Sequence, residues 1–242
     1  MITFPLLSGS LAAMLHVLTG PDHLAAVSPL AIESKRRAWK VGLMWGAGHV
    51  AGMMVIGILV YFFRGVIPYK AISAHSEKLV GLVLVGIGVW TLMKLVRKAH
   101  RHQPPPDHTM HKHPHYHDID TAPYIHIHAH GHTHSLGHSH THTHPQRKNL
   151  TMALAVGFIH GLAGIAHFLL FLPALGFKNN FQSAQYILGF GIGTVLAMSL
   201  YALVLGSVST QLDRVQNRSF SFGFQLVSGV VATIVGGYWI FY

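Results

Sequence analysis

The stretch on which the fold turns is His16-Val-Leu-Thr-Gly-Pro-Asp-His23, HVLTGPDH, set inside an apolar run from Phe4 to Ile32. Two imidazoles, a carboxylate and a helix-breaking Gly-Pro pair stand where the flanks read as a membrane span. An ionisable group at such a depth costs at least a few kcal/mol, which calls for a partner and makes function the default explanation. Asp22 is the only carboxylate well inside any apolar segment of the chain.

Outward from that stretch, half of the 242 residues are apolar and 10% are charged, and the mean hydropathy is +0.40. That composition lies outside the soluble globular range. Further apolar segments cover Trp39–Phe63, with Lys40 near one end and free to snorkel, then Leu79–Met93, Leu150–Phe177, Phe181–Leu212 and Ser219–Tyr242. A spanning helix needs roughly 20 residues, so the sequence predicts an all-α integral membrane protein with six transmembrane helices. The first segment lacks the basic flank of a cleavable signal peptide and is expected in the mature chain.

The chain also resembles itself. His16, Leu18, Gly20, His23 and Pro29 recur 144 residues later as His160, Leu162, Gly164, His167 and Pro173. One residue later in register, Gly46-Ala-Gly48-His49-Val50 matches Gly191-Ile-Gly193-Thr194-Val195. Three spans per copy is an odd number, so the second copy enters the membrane from the opposite side. The expectation is two inverted three-helix repeats, residues 1–98 and 150–242, joined by a histidine-rich loop, residues 99–149. In such repeats the substrate site sits near the midplane on interrupted helices. Gly20-Pro21 fits an interruption, with Thr19 as its cap and Asp22 in the first turn of the new half-helix. Gly164-Ile165 marks the same place in the second copy less clearly.

Thirteen of the 17 Lys and Arg residues lie in the connections between spans one and two, three and four, and five and six. Basic loops stay cytoplasmic, which predicts both termini outside and the histidine-rich loop in the cytoplasm, across a plasma or inner membrane. The net charge of +10 is then largely topological, and nucleic acid is not an expected partner. The chain has no cysteine, so thiolate metal sites and dithiol electron relay are excluded.

Candidate partners of Asp22 are His16, His23, His49, His160 and His167. Imidazoles with one carboxylate suit Ni2+, Co2+ or Zn2+ better than Mg2+ or Ca2+, which prefer oxygen-rich shells. For His167, beside Phe168 and Leu169, an ordinary hydrogen bond to a neighbouring helix competes evenly with a ligand role. Gly42, Gly46, Gly48, Gly52, Gly157 and Gly161, in x3 spacing, read as close helix packing that draws the histidine-bearing helices together.

HVLTGPDHLAAVSPLA followed by GLMWGAGHVAG resembles the nickel/cobalt transporter superfamily, especially its short urease-accessory (UreH-like) members. The likeness is strongest over residues 12–52 and weaker over 150–200. It implies that His16, Asp22 and His23 are metal ligands or selectivity residues and His49 an accessory one. The spacing departs from the nickel/cobalt permease pattern, with five residues between His16 and Asp22 instead of four.

Sixteen of the 22 histidines fall within residues 100–144. Residues 126–144, HIHAHGHTHSLGHSHTHTH, have too few apolar side chains for a core, and disorder without metal is expected. Loop capture of metal is assigned to His126, His128, His130, His132, His134, His138, His140, His142 and His144.

Together these readings predict a secondary transporter of a divalent transition-metal ion, Ni2+ first, working by alternating access and favouring uptake. It is not expected to be an enzyme and carries no prosthetic group; no phosphate-binding loop for ATP is present. Its partners are the ion, the bilayer, and a cytoplasmic metallochaperone or a second copy. Three alternatives stay open: efflux through the same site, a haem-b electron-transfer protein ligated by paired histidines, and a membrane-tethered metal buffer or sensor.

Overall fold

The computed structural model describes residues 4–63, 69–99, 110–117, 124–131, 145–163, 172–214 and 218–241. Two units separate, residues 1–99 with 144–242, and residues 100–143.

The first unit is helical. Its first apolar segment is two helices, α1 (Phe4–Thr19) and α2 (Pro21–Ser34), divided at Gly20. Gly20 is extended, and Pro21, whose missing N–H costs nothing in a first turn, opens α2 with Asp22 beside it. The break is therefore where the sequence put it, but the cap is not. Thr19 Oγ1 turns back to the Leu15 and His16 carbonyls at 2.7 and 3.3 Å, and no side chain caps α2. Helix α2 ends at Lys35, whose φ of 51° reverses the chain into a single 3-10 turn, Lys35–Arg37.

The chain continues through α3 (Ala38–Phe63), α4 (Tyr69–Ala99), α5 (Pro145–Ala163), the short α6 (Leu172–Leu175), α7 (Asn180–Arg214) and α8 (Arg218–Phe241). All six apolar segments of the sequence thus carry helix. Helix α5 begins within the expected loop, and residues 164–171, which include the counterpart of Gly20, lie outside the described residues.

Packing between the two halves is reciprocal. Helix α1 packs on α7 while α3 packs on α5, and α4 packs on α8. A side chain at Gly48 would collide with the backbone of Leu154, and one at Gly193 with that of Ser10. The first contact joins α3 to α5 and the second joins α7 to α1. Gly81 and Gly236 likewise press against each other's backbones, and Gly88 does so against Gly229. Small residues let backbones approach where the lipid tails give no hydrophobic drive to pack.

Trp45, Leu30, Val41, Leu84, Phe190 and Met198 are among the fully buried side chains of this unit. The outer faces are equally apolar: on α7, Leu188, Ile192, Leu196 and Leu200 are all exposed. A stripe at four-residue spacing, as large as this and turned outward, suits hydrocarbon and not water.

In the second unit, residues Met110–His117 (β1) and Tyr124–Gly131 (β2) pair antiparallel; of the run 126–144 expected to be disordered, 126–131 lie in β2 and 132–144 lie outside the described residues. Alternation of histidine with Ile, Ala, Tyr or Met has the period of a strand, and that periodicity outweighs the low apolar content.

A buried imidazole–carboxylate cluster

The break at Gly20 sets the site. His16 lies in the last turn of α1, Asp22 and His23 lie in the first turn of α2, and the negative charge sits at the end of α2 that favours it. Helix α3 contributes His49, and α5 contributes His160 from its last turn. Asp22, His23, His49 and His160 are buried, and His16 is partly so.

The carboxylate joins the two halves of the chain. His160 Nε2 donates to Asp22 Oδ2 at 2.9 Å, while His23 Nδ1 lies 3.2 Å from Asp22 Oδ1. The imidazoles crowd one another, with ring centres 4.7 Å apart for His16 and His23 and again for His23 and His160. His49 stands 5.2 Å from His23 and 5.7 Å from His160. Among the described residues two donor triads result, His16–His23–His49 and Asp22–His23–His160, each with its ligand atoms within 4.8 Å of one another. A Zn–N bond is about 2.0–2.1 Å, so either triad closes on an ion after inward movements on the order of 1 Å. His23 belongs to both.

Five of the six residues chosen from sequence therefore converge; His167 lies outside the described residues. Of the loop set, His126, His128 and His130 lie in β2, and the remaining six lie outside the described residues.

Trp45 was missed. It stacks on His49 at 4.9 Å with planes 9° apart, and stands 5.5 Å from both His23 and His160. Its indole Nε1 is buried and has no hydrogen-bond partner among the described residues. The available signal was position, because Trp45 precedes His49 by four residues and shares its helical face. Phe190 of α7, 6.3 Å from His16, closes the cluster on another side.

A second polar group gathers where α2 ends. Glu33 pairs with Lys94 of α4, and Lys35 pairs with Asp213 of α7, which also accepts from Ser221 of α8. These pairs border a cavity of about 230 Å³ lined in addition by Pro29, Thr91, Leu95 and Gln225.

The class that follows is a helical integral membrane protein with a metal-ligand type of cluster in its interior. The chain belongs to the family described as the cytochrome c biogenesis protein transmembrane region, which it matches over residues 19–231. It is 31% identical to chloroplast protein FOR GROWTH AND FERTILITY 1 of Arabidopsis thaliana over 207 residues, 85% of this chain and 50% of that protein. With FOR GROWTH AND FERTILITY 2 of the same plant the figures are 29%, 85% and 48%. The chain thus spans about half the length of these two relatives. It is 27% identical to urease accessory protein UreH of Bacillus sp. (strain TB-90) over 226 residues, 91% of this chain and 84% of that one. No solved structure matches.

Proposed function

We propose that this protein is a secondary transporter of divalent transition-metal ions, Ni2+ foremost with Co2+ and Zn2+ as alternatives, of the nickel/cobalt transporter type. The observation that carries the reading is the Asp22–His160 hydrogen bond inside the buried imidazole cluster, since it ties the two halves of the chain at one ionisable point. Reciprocal packing of α1 on α7 and α3 on α5 supports two inverted repeats that rock about that point. Likeness to a protein named for urease accessory work supports metal handling.

In this reading the ion is the substrate. The carboxylate of Asp22 offsets half its charge, and the imidazoles replace its hydration shell. The two triads serve as successive stations, with His23 retained while Asp22 and His160 exchange for His16 and His49. A membrane potential of 100 mV contributes about 2.3 kcal/mol per elementary charge, hence about 4.6 kcal/mol for a divalent ion entering the cytoplasm, which favours uptake. Proton exchange at the cluster is the alternative source of drive.

A haem-b protein is less well supported. Ring centres 4.7 Å apart, edge to face for His16 and His23, leave no slot for a macrocycle between them, and a haem pocket has no need of Asp22. In the family of cytochrome c biogenesis transmembrane regions this chain has no thiol chemistry to offer, because it has no cysteine.

Radiometal flux in sealed vesicles tests the proposal, with wild type, Asp22→Asn and a deletion of residues 108–144. Asp22→Asn is expected to abolish flux, and the deletion to change only the apparent affinity. Flux that survives Asp22→Asn, or that is lost equally in both, would overturn it.

A further inference from the structure

Two bulky apolar groups flank the buried histidines, and the sequence sets them in equivalent positions. Trp45 directly precedes Gly46-Ala-Gly48 and Phe190 directly precedes Gly191-Ile-Gly193, while Met53 and Met198 each stand seven residues beyond the first of those glycines. All four side chains are fully buried. Phe190 and Met53 pack together with Ala13, whereas Trp45 and Met198 belong to the other buried cluster. Each group thus takes its ring from one of α3 and α7 and its thioether from the other.

The two rings lie at opposite ends of the histidines. Helices α3 and α7 run antiparallel, because a side chain at Gly42 would meet Met198, one at Gly46 would meet Val195, and one at Gly191 would meet Val50. In that register Trp45 and Phe190 are about six residues, or roughly 9 Å, apart along the shared axis. His49 falls between them on α3, and Thr194, the buried residue matched to His49, falls between them on α7. Trp45 rests on His49 and stands 5.5 Å from His160 in the last turn of α5; Phe190 stands 6.3 Å from His16 in the last turn of α1. The helices themselves are held by backbone contacts at Gly48 and Gly193, so the parts able to move at least cost are the rings, by a change of rotamer.

We propose that Phe190 and Trp45 are the two gating residues of the ion path, each closing the histidine cluster toward one face of the membrane, with Met53 and Met198 as the surfaces on which they close. The assignment deepens the transport reading and rests on it: an ion that enters past one ring leaves past the other, and alternating access requires that the two not stand aside together.

The chain has no cysteine, so a single Thr194→Cys reports access to the space between the rings. Sealed vesicles are treated, without metal, with a membrane-impermeant thiol reagent on one face at a time. Labelling rates are compared for Thr194→Cys alone and combined with Phe190→Leu, Phe190→Trp or Trp45→Leu. Phe190→Leu is expected to raise the rate about 10-fold from one face, the scale of one aromatic packing contact, and Trp45→Leu to do the same from the opposite face. Phe190→Trp, with a larger ring, should slow labelling from the face that Phe190→Leu opens. Rates raised by both leucine variants from the same face, raised by either from both faces, or unchanged in either would overturn the proposal, as would faster labelling in Phe190→Trp. Labelling needs no transported ion, so a failure of the transport reading shows in radiometal flux through Asp22→Asn, whereas this assay reports on the rings alone.

Discussion

The two histidine-rich regions of this molecule differ in almost everything except the imidazole. In the helical unit a few histidines, drawn from α1, α2, α3 and α5, crowd around one carboxylate in a place where each polar group must find a partner. In the strand pair a run of them is laid out by alternation, every second residue, with no carboxylate among the paired positions. On the function proposed above, burial makes each member of the first set necessary to transport, whereas repetition makes single histidines of the strand pair dispensable.

The comparison breaks most visibly at Asp22 and its partner. A hydrogen bond to a charged group contributes about 1.5–3 kcal/mol, and Asp22→Asn also removes the carboxylate charge that would hold the ion, so it is expected to reduce flux by at least about 100-fold. His160→Ala should follow with a loss of about 10–100-fold, whereas His115→Ala leaves the rate unchanged; the same vesicle assay reads both. Equal effects of His160→Ala and His115→Ala would erase the distinction between the two regions.

Next in size is the packing that holds the cluster together. Gly48→Leu and Gly193→Leu each drive a side chain into a neighbouring backbone and should destabilise the helical unit by about 1–3 kcal/mol. On the proposed two-fold arrangement these contacts are counterparts, and their effects on thermal unfolding in detergent should match. One position proving silent would argue against a two-fold relation.

Smaller still is Trp45. A stacked aromatic contact is worth about 0.5–1.5 kcal/mol, so Trp45→Leu, which releases His49, should lower apparent metal affinity by about 2–10-fold. Trp45→Phe keeps a ring in place and should recover most of that loss, unless the buried indole N–H takes part in binding. The smallest effect belongs to the pairs at the end of α2. Glu33 and Lys94 are partly exposed, and such pairs contribute about 0–1 kcal/mol, so Lys94→Gln should leave thermal stability within that range. A larger shift would mean that these ion pairs hold the helical unit together.

Much of the site was legible because membrane burial makes polar residues conspicuous. Asp22 stood out as a lone carboxylate, the Gly20-Pro21 break followed from backbone chemistry, and the repeat identified His160 as the counterpart of His16. Trp45 was not conspicuous, since an aromatic residue in an apolar helix has an ordinary packing explanation. The cap was misread because Thr19 had two uses, and back-bonding to the preceding turn of α1 won over capping the next helix. Low apolar content signals the lack of a core, and of the run it marked only residues 126–131 are described, in β2, a ribbon that needs no more than alternation and backbone pairing.

By itself the sequence determined that the chain is a helical membrane protein, where its first span breaks, and that Asp22 must have a partner. Those follow from local physics: the length of an apolar run, the missing amide of proline, and the cost of a charge out of water. Only the tertiary structure decided which imidazole meets Asp22, that His23 is shared between two triads, and which histidines face each other across the strand pair. Such pairings depend on the angle at which helices cross and on the register in which strands meet. Both are set by contacts between residues far apart in the chain, and no periodicity along a single segment encodes them.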